Sequence, residues 1–562
     1  LESPEHSEKA TEQKRLRVGL LVDSFIQPRW IEKIVRDIQA SSVAEVVLVV
    51  RNAAQEPVKK WRVQRYWENR SNLLYVAYTK FDEFKTRVEP DAFESVDIGP
   101  LIEQRPVLDV LPLMTKHTDR FPAEETEKIR AYDLDVALRF GFRILKGEVL
   151  KIARHGVWSY HHGDGSVNRG GPAGFWEVME GEPVTGAMLQ KLTEELDNGN
   201  VIYRAWSPTS DRFSVKANRN NFYWKASTFV MRKLKELAET KHLNLEKNSL
   251  YHPYSNRLYK MPTNAEMLVL LSKLAGKYTV SKTLDLSCFN QWSLAYRFKS
   301  NPDDPNDTFY KFRHLTPPKD RFWADPFPLK SGEQYFIFLE EYVYSEAKGY
   351  ISVMEVDRKG VRREPFKVLE KEYHLSYPFV FEWEGHHYMI PETASNRTVE
   401  LYRCASFPGE WKLERVLLDN LNATDATLIE KDGLWWMFVN VGEESFPSDW
   451  DELYLFYADR PVGPWKPHRR NPVKRDVKGS RPAGRLFYHH GELYRPAQDS
   501  SRYYGYAISI NRVVRLDASE FIEEEVSKIL PRWKKNVMGT HTINSADDLT
   551  VIDCLVRRSK FL

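Results

Sequence analysis

Trp323-Ala324-Asp325-Pro326-Phe327, with Tyr335-Phe336-Ile337-Phe338 shortly after it, is the first of five similar passages in the second half of this chain. The others pair Ser376-Tyr377-Pro378-Phe379 with Gly385-His386-His387-Tyr388, Thr424-Asp425-Ala426-Thr427 with Gly433-Leu434-Trp435-Trp436, Ser480-Arg481-Pro482-Ala483 with Gly491-Glu492-Leu493-Tyr494, and Gly539-Thr540-His541-Thr542 with Leu549-Thr550-Val551-Ile552. Counted from Asp325, the steps are 53 residues to Pro378, 47 to Asp425, 56 to Arg481 and 60 to His541. Aromatic and β-branched runs bounded by Gly, Asp and Pro read as short strands. A period of about fifty residues is the mark of a radially repeated four-stranded sheet. Residues 307–562 are therefore expected to form an all-β, five-bladed propeller.

Inner-strand starts converge on a propeller's axis, so polar residues near them are candidates to line a central ligand site. The candidates are Asp325, Glu341, Glu392, Asp425, Arg481, Arg495, Gln498, Asp499 and His541. Buried charges must pair with one another or meet a ligand, and arginine engages carboxylate or phosphate with two parallel donors. An anionic or polyhydroxylated sugar suits this set. The competing reading of Asp325 and Asp425 is a turn residue capping its own strand start. A lone His541 is read as a hydrogen-bonded core residue, and no metal site is expected.

Upstream, the pattern changes. Arg17-Val18-Gly19-Leu20-Leu21-Val22 reads as a buried strand, Ile31 to Ile38 has helical spacing and Val43 to Val50 is a second strand. Strand, helix, strand at this spacing implies a parallel α/β sheet. Asp135 to Phe140 is a further strand, and Leu145 to Ala153 has helical character. No G-x-G-x-x-G follows the first strand, so no dinucleotide site is expected. The domain limits are a disordered tail over 1–14, an α/β domain over 15–248, a connector over 249–306 and the propeller. Within the connector, Thr263 caps a helix over Ala265 to Leu274, and Lys277 to Phe298 turns to strand character.

The stretch 156–202 carries Ser159-Tyr160-His161, Arg169-Gly170-Gly171-Pro172, Thr185-Gly186 and Asp197-Asn198-Gly199, with His161 and Asp197 separated by 36 positions. It resembles the folate-dependent formyltransferases, which carry Asn-x-His, Arg-Gly with Pro, Thr-Gly and Asp-x-Gly in that order. The upstream Phe140-Gly141-Phe142-Arg143-Ile144-Leu145 looks like the family's segment at the folate pocket. The resemblance implies a Rossmann-like sheet and 10-formyltetrahydrofolate as formyl donor. It implies a catalytic set of His161, Asp197 and, in place of the family's Asn, Ser159. Phe140, Gly141, Arg143, Ile144 and Leu145 would be cofactor contacts. A hydroxyl in the carboxamide position is a departure, since losing one oxyanion donor slows such reactions about 100- to 1,000-fold. His162 and Asp164 crowd the same loop as site-lining candidates.

The repeated passages in turn look like the inner strands of propeller glycosidases of the arabinanase, xylosidase and invertase type. That likeness implies a base or nucleophile at Asp325 and an acid at Glu392. The segment Tyr494 to Asp499 is also similar to a propeller attached to plant sphingolipid glycosyltransferases. Together these imply formyl transfer to an amino group of a sugar or sugar-linked substrate, a small molecule or glycan such as a nucleotide-linked amino sugar. The propeller would recognise the carbohydrate. A glycan-processing propeller with an inactive first domain, and a non-catalytic carbohydrate binder, fit the same residues.

Bulk properties exclude little but agree with this. With 562 residues the chain needs more than one core. A net charge of +3 gives no reason to expect nucleic acid. Cys288, Cys404 and Cys554 make neither a zinc spacing nor a disulfide framework. No signal-like h-region or long apolar run is present, so a cytoplasmic protein without a membrane span is expected.

Overall fold

A computed structural model describes residues 14–54, 70–165, 169–195, 199–209, 213–246, 257–299, 308–442 and 450–561. The tail expected over 1–14 thus lies, but for residue 14, outside the described residues. The chain divides into two compact units, changing over between Val269 and Leu270, with Glu182–Val184 and Trp206–Phe213 counted with the second.

The first unit is built on a seven-stranded sheet. Its order is Asn200–Pro208, Val184–Lys191, Val157–His161, Val136–Arg139, Leu16–Val22, Ala44–Asn52 and Val107–Val110. Leu16–Val22 lies parallel to both Ala44–Asn52 and Val136–Arg139. Such strands are covered on both faces, which is why they read as unbroken apolar runs. The helix Arg29–Ala40 buries Ile31, Ile34, Val35 and Ile38, the positions its helical period selects. The helix expected over Leu145 to Ala153 is only a 3₁₀ turn, Glu148–Lys151. Gly147 before it, at φ 85°, sets the start of the turn.

In the connector, Thr263 and Glu266 form a reciprocal capping box: Glu266 N–H donates to Thr263 Oγ1 at 3.3 Å and Thr263 N–H to Glu266 Oε2 at 2.8 Å. The helix it opens runs through Asn264–Ser287, past Leu274 and across Tyr278 and Val280, which had suggested a strand. Two β-prone residues cannot interrupt a helix when no sheet edge pairs with them. Residues 247–256 and 300–307 of the connector lie outside the description.

From Cys288 onward the described residues build five antiparallel sheets. Four are local and four-stranded, starting at Arg321–Ser331, Ser376–Trp383, Ala423–Lys431 and Phe487–His489. The fifth joins strands distant in sequence: Cys288–Phe298 pairs antiparallel with Leu549–Ser559 along its whole length. The expected start of this region at 307 is therefore corrected, because a strand inside the expected connector belongs to its last sheet. Apolar faces pack between sheets; Phe338, Phe379, Met389 and Met437 share one buried cluster drawn from three of them. Burying each such side chain contributes about 1.5–3 kcal/mol.

Candidate functional site

Three sheets of the second unit open with the same backbone irregularity. The pairing slips between Ala324 and Phe327, between Ser376 and Phe379, and between Thr424 and Thr427. The residue inside each bulge has a left-handed backbone: φ is 49° at Asp325, 41° at Tyr377 and 58° at Asp425. A non-glycine residue there costs about 1–3 kcal/mol and persists where its surroundings over-determine it. Opposite the residue before each bulge, across the ladder, stand Glu340, Glu392 and Asn440.

These bulges gather carboxylates around one arginine. Arg481 Nε donates to Asp425 Oδ2 at 2.5 Å, and its Nη2 reaches Asp425 Oδ1 and Glu392 Oε2, each at 3.3 Å. Its guanidinium lies 5.1 Å from the ring centroid of Tyr504. Gln498 Nε2 donates to Asp425 Oδ2 at 2.9 Å and to the Pro482 carbonyl at 3.0 Å. Beside this group, Asp325 Oδ1 accepts from Thr542 Oγ1 at 2.6 Å and lies 3.3 Å from His541 Nε2. On the other side of the imidazole, Nδ1 lies 2.6 Å from Asp553 Oδ2.

The electrostatics follow from burial. Loss of water, then the neighbouring Asp325, Glu392 and Asp425, push the Glu340 carboxyl well above the usual range. Burial and the nearby Asp425 do the same to Glu392. Burial also raises Asp325, to about 6, against the opposing pull of His541. For His541 burial favours the neutral ring, but Asp553 and Asp325 outweigh it and raise its pKa. The site thus gathers carboxyls and an imidazole whose pKa values are all raised in one buried cluster, the ingredients of acid–base chemistry. Asp325, His541 and Asp553 offer ligand atoms within 4.8 Å of one another, with the imidazole lying between the two carboxyl groups.

Several expected ligand residues sit elsewhere. Glu341 faces away from the cluster, bound to Arg321 at 2.9 Å and Ser352 at 2.7 Å, because successive strand residues point to opposite faces. Its neighbour Glu340 takes the central place. The same alternation separates Gln498 from Arg495 and Asp499. Arg495 pairs with Glu523 at 2.7 and 2.6 Å, and Asp499 with Lys528 at 2.8 Å. Besides Glu340, the sequence reading missed Tyr504, Thr542 and Asp553. Tyr377 takes the place in the second bulge that Asp325 and Asp425 hold in the first and third; this buried phenol accepts from Gly484 N–H at 2.8 Å and meets Thr427 Oγ1 at 2.9 Å.

In the first unit, Ser159 is buried, its Oγ accepting from Arg139 Nη1 at 2.9 Å. His161 ends the strand Val157–His161, while Asp197 lies outside the described residues. His162 stacks on Tyr223 at a centroid distance of 3.7 Å, and burial holds its ring neutral. The segment expected to contact the folate is also tied into the surrounding fold. Arg143 gives its donors to Asp119 and to the carbonyls of Thr115, Lys116 and Thr118. A Cβ on Gly141 would come within 2.3 Å of Asp23 N. Phe140 packs edge-on against Trp30, Ile144 pairs with Thr118 and Leu145 is in the core.

Part of the first unit has relatives among formyltransferases. A methionyl-tRNA formyltransferase from Prochlorococcus marinus is 29% identical over 102 residues, 18% of this chain and 30% of that protein. A family 117 glycoside hydrolase of Zobellia galactanivorans covers 47% of this chain and 90% of its own at 14% identity, with a TM-score of 0.31. Glucosamine inositolphosphorylceramide transferase 1 of Oryza sativa subsp. japonica is 38% identical over 232 residues, 40% of this chain and 31% of the rice protein. The chain thus spans about a third of that relative's length. These relatives overturn formyl transfer as the expected activity: they are named as glucosamine inositolphosphorylceramide transferases, not as formyltransferases. The family model that matches, over residues 313–547, is that of glucosamine inositolphosphorylceramide transferase 1, N-terminal, and it is to this part of those transferases that the second unit is similar.

Proposed function

We propose that the five antiparallel sheets are the blades of a closed propeller whose centre binds a sugar. In this reading the chain serves as a transferase on a glycolipid-type substrate. The observation that carries it is the convergence of Asp325, Glu340, Glu392 and Asp425 from three successive sheets on Arg481, with His541 beside them. Moving a glycosyl group needs a proton donor for the leaving oxygen and an ionised group that activates the acceptor or steadies positive charge on the sugar. Glu392, whose carboxyl burial pushes well above the usual range, suits the first role. Asp325, held between His541 and Thr542, suits the second. Arg481 orients Asp425 and Glu392, and Tyr504 offers a ring face to a sugar. The sheet core positions these groups, so the geometry is set before a ligand arrives.

The similarity to an N-terminal part of the named transferases favours a second role for the same pocket, substrate recognition without turnover. One experiment separates them. The purified chain is given a labelled nucleotide hexose and an inositolphosphate-bearing sphingolipid, and hexose binding is measured in parallel. Catalysis predicts transfer that falls about 100- to 10,000-fold in Asp325→Asn and Glu392→Gln. Binding without transfer assigns the pocket to recognition, and absence of both refutes the sugar site.

A further inference from the structure

We infer that Arg485 is the seat of a binding site for one weakly hydrated monovalent anion, of the chloride and bromide kind, where the antiparallel sheets of the second unit meet. This site takes no part in the carboxylate cluster and holds or fails independently of the sugar reading.

Arg485 lies in the segment before the fourth local sheet, which starts at Phe487. Its backbone N–H donates at 2.7 Å to Oδ1 of Asn544, in the strand Ile543–Ala546 of the fifth sheet. Its guanidinium sits 5.5 Å from the ring centroid of Phe327, in the first sheet, and 5.3 Å from that of Phe379, in the second. Both rings stand two residues along their strands from the bulge residues Asp325 and Tyr377. One arginine thus meets three sheets besides its own, which only a place near their common centre allows.

The guanidinium carries five N–H donors. Among the described residues one of them has a protein acceptor, the Pro328 carbonyl, and at 3.4 Å that contact is longer than an ordinary N–H···O bond. No carboxylate acts on the charge. The one ionisable neighbour that does is the Tyr377 phenol, whose own pKa burial pushes well above the usual value. Arg481 and Arg495 differ in this respect, being matched by Asp425 with Glu392 and by Glu523. Phe327 and Phe379 are buried and attract the cation through their ring faces, but they bring no negative charge. Burial accordingly lowers the Arg485 pKa to about 10, which still leaves it ionised at neutral pH. The residue is only partly buried, which leaves a small ion a way in.

The surroundings select the anion. They offer one positive charge and no further donor. The Asn544 amide is used at both ends, its Nδ2 donating to the Pro326 carbonyl at 2.8 Å. The Pro328 carbonyl is an acceptor, and the remaining walls are phenyl rings. A dianion such as sulfate would keep a net charge among apolar groups, and an uncompensated buried charge is costly. A single negative charge balances the guanidinium one for one. Bromide gives up its water more readily than chloride, so it suits phenyl walls better.

The test is thermal unfolding of the full chain in sodium gluconate, with sodium bromide replacing gluconate at constant ionic strength. The melting temperature should rise saturably, by about 1–3 °C at bromide five times its dissociation constant, and more weakly for chloride. In Arg485→Met, which keeps the length of the side chain and removes its charge, the bromide response should vanish. Crystals of the unmodified chain grown with bromide keep the idea falsifiable if that variant fails to fold: the anomalous signal of bromide should lie beside the Arg485 guanidinium. No bromide response in the unmodified chain, an equal response in Arg485→Met, or bromide found only elsewhere would each overturn the inference. Sulfate or phosphate that stabilises through Arg485 at lower concentration than bromide would assign the guanidinium to a dianionic oxyanion and overturn it too.

Discussion

Glu340 and Glu341 adjoin in sequence and are equally buried, at 5% and 4% exposure, yet they do opposite things. Glu341 is a bracing group: its carboxylate collects Arg321, Ser352 and Trp323 Nε1. Glu341→Ala should cost about 1–3 kcal/mol in chemical denaturation, because it leaves the buried Ser352 hydroxyl and Trp323 Nε1 unpaired. Arg481→Ala should cost about 3–5 kcal/mol by leaving Asp425 and Glu392 facing each other. The acids raised by burial give stability a pH dependence of definite sign. Asp325, Glu340 and Glu392 hold protons in the folded state that the unfolded chain has already released above about pH 4.5. Stability is therefore full below that pH and is lost as pH rises through the folded values, about 6 for Asp325 and well above the ordinary carboxyl value for the two glutamates. His541, raised from its ordinary value, loses its contribution in the same direction. Melting temperature should drop between pH 5 and pH 8, and Glu340→Gln should flatten that slope; a rise in melting temperature across the window would contradict this account.

The bulged strands show how elements aim these residues. Taking Asp325, Tyr377 and Asp425 as equivalent gives steps of 52 and 48 residues, and the same steps lead from Glu340 to Glu392 to Asn440. Registering the second repeat on Pro378 instead shifted the count by one and concealed Glu340, since a one-residue slip turns a strand's side chains to the other face. The repeat itself held the signal. Tyr377 shows what the second bulge does without a carboxylate: its hydroxyl ties Gly484, in the loop before the fourth sheet, to Thr427 of the third. Tyr377→Phe should lose about 1–3 kcal/mol by leaving the buried Gly484 N–H unpaired, measurable by urea unfolding. Gly484 is itself fixed by geometry, at φ 126° with the Ile543 carbonyl 2.1 Å from where a Cβ would stand. Gly484→Ala should therefore be more damaging than a typical surface change, with hydrogen exchange accelerated first along Ile543–Ala546.

For the chain as a whole, the pairing of Cys288–Phe298 with Leu549–Ser559 predicts which fragments fold. A fragment running from Cys288 to the end should melt cooperatively. One starting at Thr308 should not, because it exposes the long edge of Leu549–Ser559 and lacks the apolar side chains Leu294 and Tyr296, which are buried in the intact protein. Circular dichroism melts of the two fragments decide it. The sequence by itself determined the α/β character of the first unit, through unbroken apolar strands around an amphipathic helix, and the repeated β-units of the second, through periodic aromatic runs and turns. It also marked Asp325, Glu392, Asp425, Arg481, Gln498 and His541, because charged residues near strand starts stand out against apolar neighbours. Only the tertiary structure decided that Cys288–Phe298 belongs to the last sheet, since pairing between strands so distant in sequence leaves no local pattern. Only it turned Glu341, Arg495 and Asp499 away and Glu340 inward, because the face a side chain occupies depends on ladder register and bulges, and those are fixed by the partners a strand meets in three dimensions.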